Sequence, residues 1–247
     1  MQIYRTVFKK DIICEFAIPE KKSNKVIILA GGMPTVPSKK ERIEKLCKLG
    51  YWIFFPRFRG TWESSGKFLQ KSPHLDIKDV IDEIHKPFTE LWDNKKIKIQ
   101  NPQIYLIGTS FGGPAVILNS KDKRVKKAVA IAPVIDWTKD SKVEPMNKLG
   151  RFVKQAFGQG YRFDMKNWNN LAKGKFYNPI TEIDKVDAKK LWIFHALDDD
   201  VVPVGPTINF AKITRCKLTL IKKGSHGICK TVLKKKKYLR AIKKYLN

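Results

Sequence analysis

The chain has 247 residues, 43% of them hydrophobic, and carries a formal net charge of +27. That length and apolar share suit one α/β domain, read here as residues 1–247, and no apolar run reaches the ~20 residues of a membrane-spanning helix. The segment from Met1 to Lys10 has no apolar stretch long enough for a secretory signal. Cys14, Cys47, Cys216 and Cys229 show no C-x-x-C spacing, so a cytoplasmic chain without a disulfide framework or zinc site is expected.

Residues 2–8 and 11–18 alternate enough to read as a β-hairpin. Val26-Ile27-Ile28-Leu29-Ala30 is a continuous apolar run, as strands buried on both faces show, and it ends in Gly31-Gly32-Met33-Pro34. Residues 38–49 read as a helix, with Ile43, Leu46 and Leu49 on one stripe and Gly50 at its end. Tyr51 to Phe55 is the next strand, followed by a loop to Gly66. Residues 74–92 are helical in pattern, with Ile77, Val80, Ile81, Ile84, Phe88 and Leu91 sharing a face and Pro87 predicting a kink. Ile104 to Ile107 is a strand and 111–120 a helix. Val125 to Ala132, Leu191 to His195 and Leu218 to Ile221 are further strands. Val232, Leu239, Ile242 and Leu246 give the last segment the spacing of an amphipathic helix. Strands alternating with helices in this way indicate an α/β fold, a mainly parallel central sheet with helices on both faces. One long insertion, about 137–180, breaks the alternation. It contains a helical stretch from Met146 to Phe157 and many aromatics, and reads as a lid or small cap whose aromatics either line a substrate pocket or, for most of them, form its own core.

Gly108-Thr109-Ser110-Phe111-Gly112-Gly113 lies where the strand from Ile104 turns into a helix. That is the setting of a G-x-S-x-G nucleophile elbow: a tight turn pushes the serine hydroxyl outward, and small residues on either side let strand and helix approach. A serine is a poor nucleophile without a base, and the base needs an orienting acid, expected in the order Ser…Asp…His. The acid comes from Asp198-Asp199-Asp200, just past the strand ending at His195, and the three aspartates compete for the role. The base is His226, in a Gly-flanked loop after the strand ending at Ile221. Both fall at the sheet edge that holds the elbow. The oxyanion donors expected are the N–H of Phe111 and that of Met33, with Gly32 as the alternative; Pro34 has no N–H. His74, His85 and His195 read as structural, Cys14 and Cys47 as buried small hydrophobes, and Cys229 as packing close to the site. No His/Cys/Asp cluster has metal spacing and no P-loop or dinucleotide fingerprint is present, so no metal and no cofactor are expected.

The charge is uneven. No acidic residue follows Asp200, whereas 13 Lys and Arg lie between Lys212 and Lys244. Such a face can hold nucleic acid or an anionic surface. The basic residues fall largely on the outer face of the last helix, without the aromatic interleaving of single-strand binders, so nucleic-acid contact is not expected to be the main function.

Taken together, these motifs resemble the α/β-hydrolase superfamily, and most of all its prolyl-oligopeptidase-like and esterase branch. His195-Ala196-Leu197-Asp198-Asp199-Asp200-Val201-Val202-Pro203 is similar to that branch's H-G-x-x-D-x-x-V-P segment. Aligned on Val202-Pro203, the resemblance makes Asp199 the acid, with Ala196 in place of the glycine. Gly224-Ser225-His226-Gly227 resembles the branch's histidine loop, and Arg59 to Gly66 its R-G-x-x-x-S-x-G loop. The H-G of the common oxyanion loop is absent, and Ala30-Gly31-Gly32 stands there. The resemblance implies a serine hydrolase that cleaves a small acyl substrate (an ester, thioester or small amide) through an acyl-enzyme on Ser110, Asp199 and His226. An acyltransferase or peptidase on the same residues, or a silent binding module, are the alternatives. Arg59 should sit near the oxyanion loop, where it either binds a substrate carboxylate or braces the loop through an ion pair. Oligomeric state is not legible.

Overall fold

The computed structural model describes residues 1–247 except Ser38, Asp140 and Lys142. β1 (Tyr4–Phe8) and β2 (Ile12–Ala17) form the expected antiparallel hairpin, and β2 pairs antiparallel with β4 (Trp52–Pro56). β3 (Lys25–Ala30), β7 (Gln103–Thr109), β8 (Val125–Ile131), β9 (Leu191–Ala196) and β10 (Lys217–Ile221) continue the sheet in parallel. The strand order is β1-β2-β4-β3-β7-β8-β9-β10. The chain leaves β3 toward β4 on one side and returns as β7 on the other, so the order reverses at β3. In open α/β sheets the crevice at the carboxyl ends of such strands is where ligands bind.

Alternation along each strand builds two cores. Val26 and Ile28, with Ile104 and Leu106, face one side; Ile27 and Leu29, with Tyr105 and Ile107, face the other. The first side is covered by α2 (His74–Ile84), α3 (Gly112–Leu118) and α6 (Val204–Thr214). The second is covered by α1 (Lys40–Cys47), α7 (Ile228–Thr231) and α8 (Lys236–Leu246), through Ile43, Leu46, Ile228, Val232, Ile242 and Leu246. Cys14 and Cys47 are buried in these cores. The residue-38 end of the helix expected over 38–49 lies outside the described residues.

Two expectations change. The helix expected over 74–92 stops at Ile84 and does not kink at Pro87. Proline disfavours helical geometry at the residue before it, so the chain leaves the helix there. It continues as β5 (Phe88–Thr89), paired with β6 (Lys96–Ile97). Phe88 still reaches the core and packs edge-on against Phe16 and Phe54, whereas Leu91 is exposed.

The segment over 137–180 contains α4 (Met146–Phe157), at its expected bounds, and α5 (Met165–Ala172), which the sequence pattern did not reveal. Positions 140 and 142 of this segment lie outside the described residues. Its aromatics pack on one another, as Phe163 does on Trp168 and Phe157 on Tyr161, but they do not make a separate core. Trp137 and Tyr177 pack on Phe111, and Tyr161 and Phe163 on Phe68, joining the core on the α3 side of the sheet. Among the described residues no helix is long and apolar enough to cross a membrane.

Candidate active site

Ser110 sits between β7 and α3 at φ +51°, a left-handed conformation unusual for a side-chain-bearing residue. Glycines make this turn feasible. A methyl group on Gly108 would lie on the Gly112 carbonyl, and one on Gly112 would lie on the Ala30 carbonyl. The Ser110 N–H donates to the Ile131 carbonyl at 2.9 Å, and its carbonyl accepts from the Gly113 N–H at 2.8 Å, which fixes the turn and leaves the side chain projecting.

His226 Nε2 lies 3.0 Å from Ser110 Oγ, and its Nδ1 lies 2.9 Å from Asp199 Oδ2 and 3.2 Å from Oδ1. A carboxylate only accepts, so Nδ1 carries a proton. In the neutral ring Nε2 is then free to accept from the serine hydroxyl. Asp199 Oδ1 also accepts from the N–H groups of Val201 (3.1 Å) and Val202 (2.9 Å), which lock the carboxylate in place. Burial works to raise the Asp199 pKa, but hydrogen bonds from His195, His226 and the Val202 N–H outweigh it and hold the group well below the usual carboxylate range. For His226, burial works against the charged form; Asp199 and the neighbouring Cys229 outweigh it and raise the pKa to about 10. Cys229 Sγ lies 3.9 Å from the same Nε2 that faces Ser110.

Two groups behind the site have roles that the sequence did not assign to them. His195 is fully buried; its Nε2–H donates to the Val202 carbonyl at 3.0 Å, because a carbonyl only accepts, and its Nδ1 accepts from Thr207 Oγ1 at 2.9 Å. The same Nε2 is 3.4 Å from Asp199 Oδ2. Asp198 holds the histidine loop: its carboxylate accepts from the N–H groups of Gly224 (3.0 Å) and Ser225 (2.9 Å), and those bonds lower its pKa. The run of three aspartates was the only signal for this clamp.

The Gly31-Gly32-Met33 loop approaches closely, and a Cβ on Gly32 would sit 3.1 Å from Ser110 Cβ. Thr35 anchors the loop. Its N–H donates to the Tyr161 hydroxyl at 3.0 Å and its carbonyl accepts from Trp62 Nε1 at 3.1 Å. The N–H groups of Phe111, Gly32 and Met33 donate to no acceptor among the described residues. The Phe111 carbonyl accepts from the Tyr177 hydroxyl at 2.6 Å.

A cleft opens at Ser110. Phe111, Val134, Ile135, Trp137, Trp168 and Val202 line it, with Asp136, Lys139 and Glu144 among its polar residues. Both indole N–H groups are used internally, Trp137 Nε1 on the Tyr177 carbonyl (2.7 Å) and Trp168 Nε1 on the Met146 carbonyl (2.8 Å). These rings therefore offer the cleft apolar faces.

Arg59 is not brought to this cleft. Its guanidinium meets Asp11 at 2.7 Å, Asp76 at 2.6 Å and Asp79 at 2.7 Å, so each terminal or bridging nitrogen faces a carboxylate.

Residues 37–246 match the prolyl oligopeptidase family. The chain belongs to that family. No curated protein sequence matches it. Among solved structures, an esterase of Pyrococcus furiosus shares the fold at TM-score 0.70 and 16% identity, covering 99% of this chain and 90% of its own. Est1E of Butyrivibrio proteoclasticus, a structure of which holds ferulic acid, is similar at TM-score 0.61 and 17% identity, covering 100% of this chain and 96% of its own. The acylaminoacyl peptidase of Pyrococcus horikoshii is similar at TM-score 0.63 and 18% identity over 92% of this chain, which spans only 37% of the peptidase's length. The fold of this family member is accordingly that of the α/β hydrolases.

Proposed function

We propose that this chain is a serine hydrolase that cleaves carboxylic esters through an acyl-enzyme on Ser110. The observation that carries the reading is the continuous line from Ser110 Oγ through both nitrogens of His226 to Asp199, at 3.0 and 2.9 Å. His226 takes the serine proton as Oγ attacks the acyl carbon and returns it to the leaving alcohol. Asp199 keeps the imidazole in the tautomer that can do so and stabilises the imidazolium. The N–H groups of Phe111 and Met33, with Gly32 as the alternative second donor, stabilise the negative oxygen of the tetrahedral intermediate. Water then repeats the sequence on the acyl-enzyme. In this reading residues 137–180 act as a cap on one domain, and the cleft beneath takes the acyl group. The aromatic and aliphatic faces that make up most of its walls favour an apolar or aromatic acyl group over a charged one.

The family match favours a second reading, hydrolysis of a small aminoacyl amide by the same residues. Labelling with a fluorophosphonate, followed by a panel of p-nitrophenyl esters and aminoacyl p-nitroanilides, separates the two. The wild-type chain should label and Ser110→Ala should not, with ester turnover falling at least about 10³-fold. Undiminished labelling of Ser110→Ala rejects the assignment. Anilide turnover exceeding ester turnover moves the reading to the peptidase.

A further inference from the structure

The excess positive charge converges on one place that the hydrolytic reading does not use. α1 and the stretch around α7 come from opposite ends of the chain, yet Lys39, Lys40, Arg42 and Lys45 face Lys230 and Lys234 across a single cleft. Glu41 is the one carboxylate in its lining, and it is already bound by Lys45 at 2.9 Å and Lys234 at 2.8 Å. Lys39 reaches only the Thr35 hydroxyl (2.7 Å) and backbone oxygen, and Arg42 the Cys229 carbonyl (3.3 Å); these acceptors are neutral. Lys39, Lys40, Arg42 and Lys230 therefore have no carboxylate partner among the described residues. Consistent with this crowding, burial and the charges of Arg42 and Lys230 lower the Lys39 pKa. Like charges gathered in a concavity focus a field that draws in anions.

We propose that the cleft between α1 and α7 binds a soluble small molecule bearing two or more phosphate groups. The donor set calls for such a ligand: a guanidinium and several ammonium groups converge from two sides, and phosphate oxygens accept from many directions at once. A lipid headgroup would need apolar surface beside it, and Leu233, the one apolar residue of the lining, is buried. Single-stranded nucleic acid would need rings on which bases stack, and the lining holds none.

Inorganic tripolyphosphate is the probe, titrated into the full chain by calorimetry in ~0.15 M salt, where exposed charges are largely screened beyond about 8 Å. Saturable one-to-one binding and a rise in Tm are expected. Lys40→Gln/Lys230→Gln should weaken binding at least about tenfold, the loss of charge-assisted bonds. Lys243→Gln/Lys244→Gln, on the outer face of α8, should retain it. Both lysines of the first pair are exposed, so the fold should survive, checked by circular dichroism. Absence of saturable binding, equal binding by the first variant, or binding to phosphatidylglycerol vesicles alone overturns the proposal. Fluorophosphonate labelling of Ser110 should be unchanged in both variants, so failure of the hydrolase reading would be seen separately.

Discussion

In the proposed reaction His226 must be neutral before it can accept the proton of Ser110, and its surroundings oppose that. Burial favours the neutral ring, but Asp199 at 2.9 Å and Cys229 at 3.9 Å from its two nitrogens raise its pKa to about 10. Esterase kcat/KM should therefore climb with pH well beyond 6.5, with its midpoint nearer 10; a midpoint at or below 6.5 would contradict the environment described. The sign for stability is the opposite. A raised folded pKa contributes stability that is complete below the unfolded value of about 6.5 and is lost as pH rises through about 10. Asp199→Asn should lower the kinetic midpoint and reduce turnover by about 10⁴-fold, because the ring would then be held in the wrong tautomer. His195 shows where sequence reading stopped. A histidine at a strand end looks structural, and only the fold reveals that it stands behind Asp199, fixed by Thr207. Thr207→Val should leave His195 Nδ1 buried and unpaired. A loss of about 1–3 kcal/mol in urea unfolding, with KM unchanged, is the expected result.

At the scale of elements, the elbow and the strands were legible because they rest on local rules: glycines where strand and helix touch, and apolar runs in buried parallel strands. Gly108, Ser110 and Gly112 needed only their neighbours in sequence to be read. α5 and the end of α2 were hidden because distant contacts decide them. The aromatics around α5 pack on Phe68 and Phe111 as well as among themselves, and Phe88 is claimed by the sheet core instead of the helix. Arg59 belongs with these. Of the two roles its sequence allowed, substrate binding or bracing through an ion pair, the structure shows ion pairing: the guanidinium ties the loop after β4 to α2 through Asp76 and Asp79, and to the β1–β2 turn through Asp11. Burial raises the Asp76 pKa to about 6, offset in part by Arg59. Arg59→Ala would leave the Asp76 carboxylate buried without its cation. Stability should fall by about 3 kcal/mol, the lower end of such losses because the guanidinium is partly exposed. The deficit should shrink as pH falls below about 6 and Asp76 becomes neutral. Urea unfolding at pH 5 and pH 8 checks this, and an equal deficit at both would mean that Arg59 acts through Asp11, Asp79 or packing rather than through Asp76. KM for acidic esters should not change selectively, in contrast to a substrate-binding arginine.

On the whole molecule, a net charge of +27 is spread over 12118 Å² of accessible surface. One net charge then occupies about 450 Å², a spacing of about 21 Å, which lies inside the ~30 Å screening length at 0.01 M salt and well outside the ~8 Å length at 0.15 M. Self-repulsion of the compact chain should therefore be felt at low salt and be nearly gone at physiological salt. The unfolded chain holds the same charges farther apart, so screening favours the folded state more. Tm should rise steeply between ~0.01 and ~0.15 M sodium chloride and flatten above that. Calorimetric scans across that series, repeated with sodium acetate, test the argument. Screening depends on ionic strength alone, so the two salts should superimpose, whereas a multivalent phosphate that occupies the cleft between α1 and α7 should add a further rise that persists on the plateau. A Tm that falls with salt would mean that the 17 ion pairs of Lys and Arg seen among the described residues outweigh the repulsion between the unpaired cations.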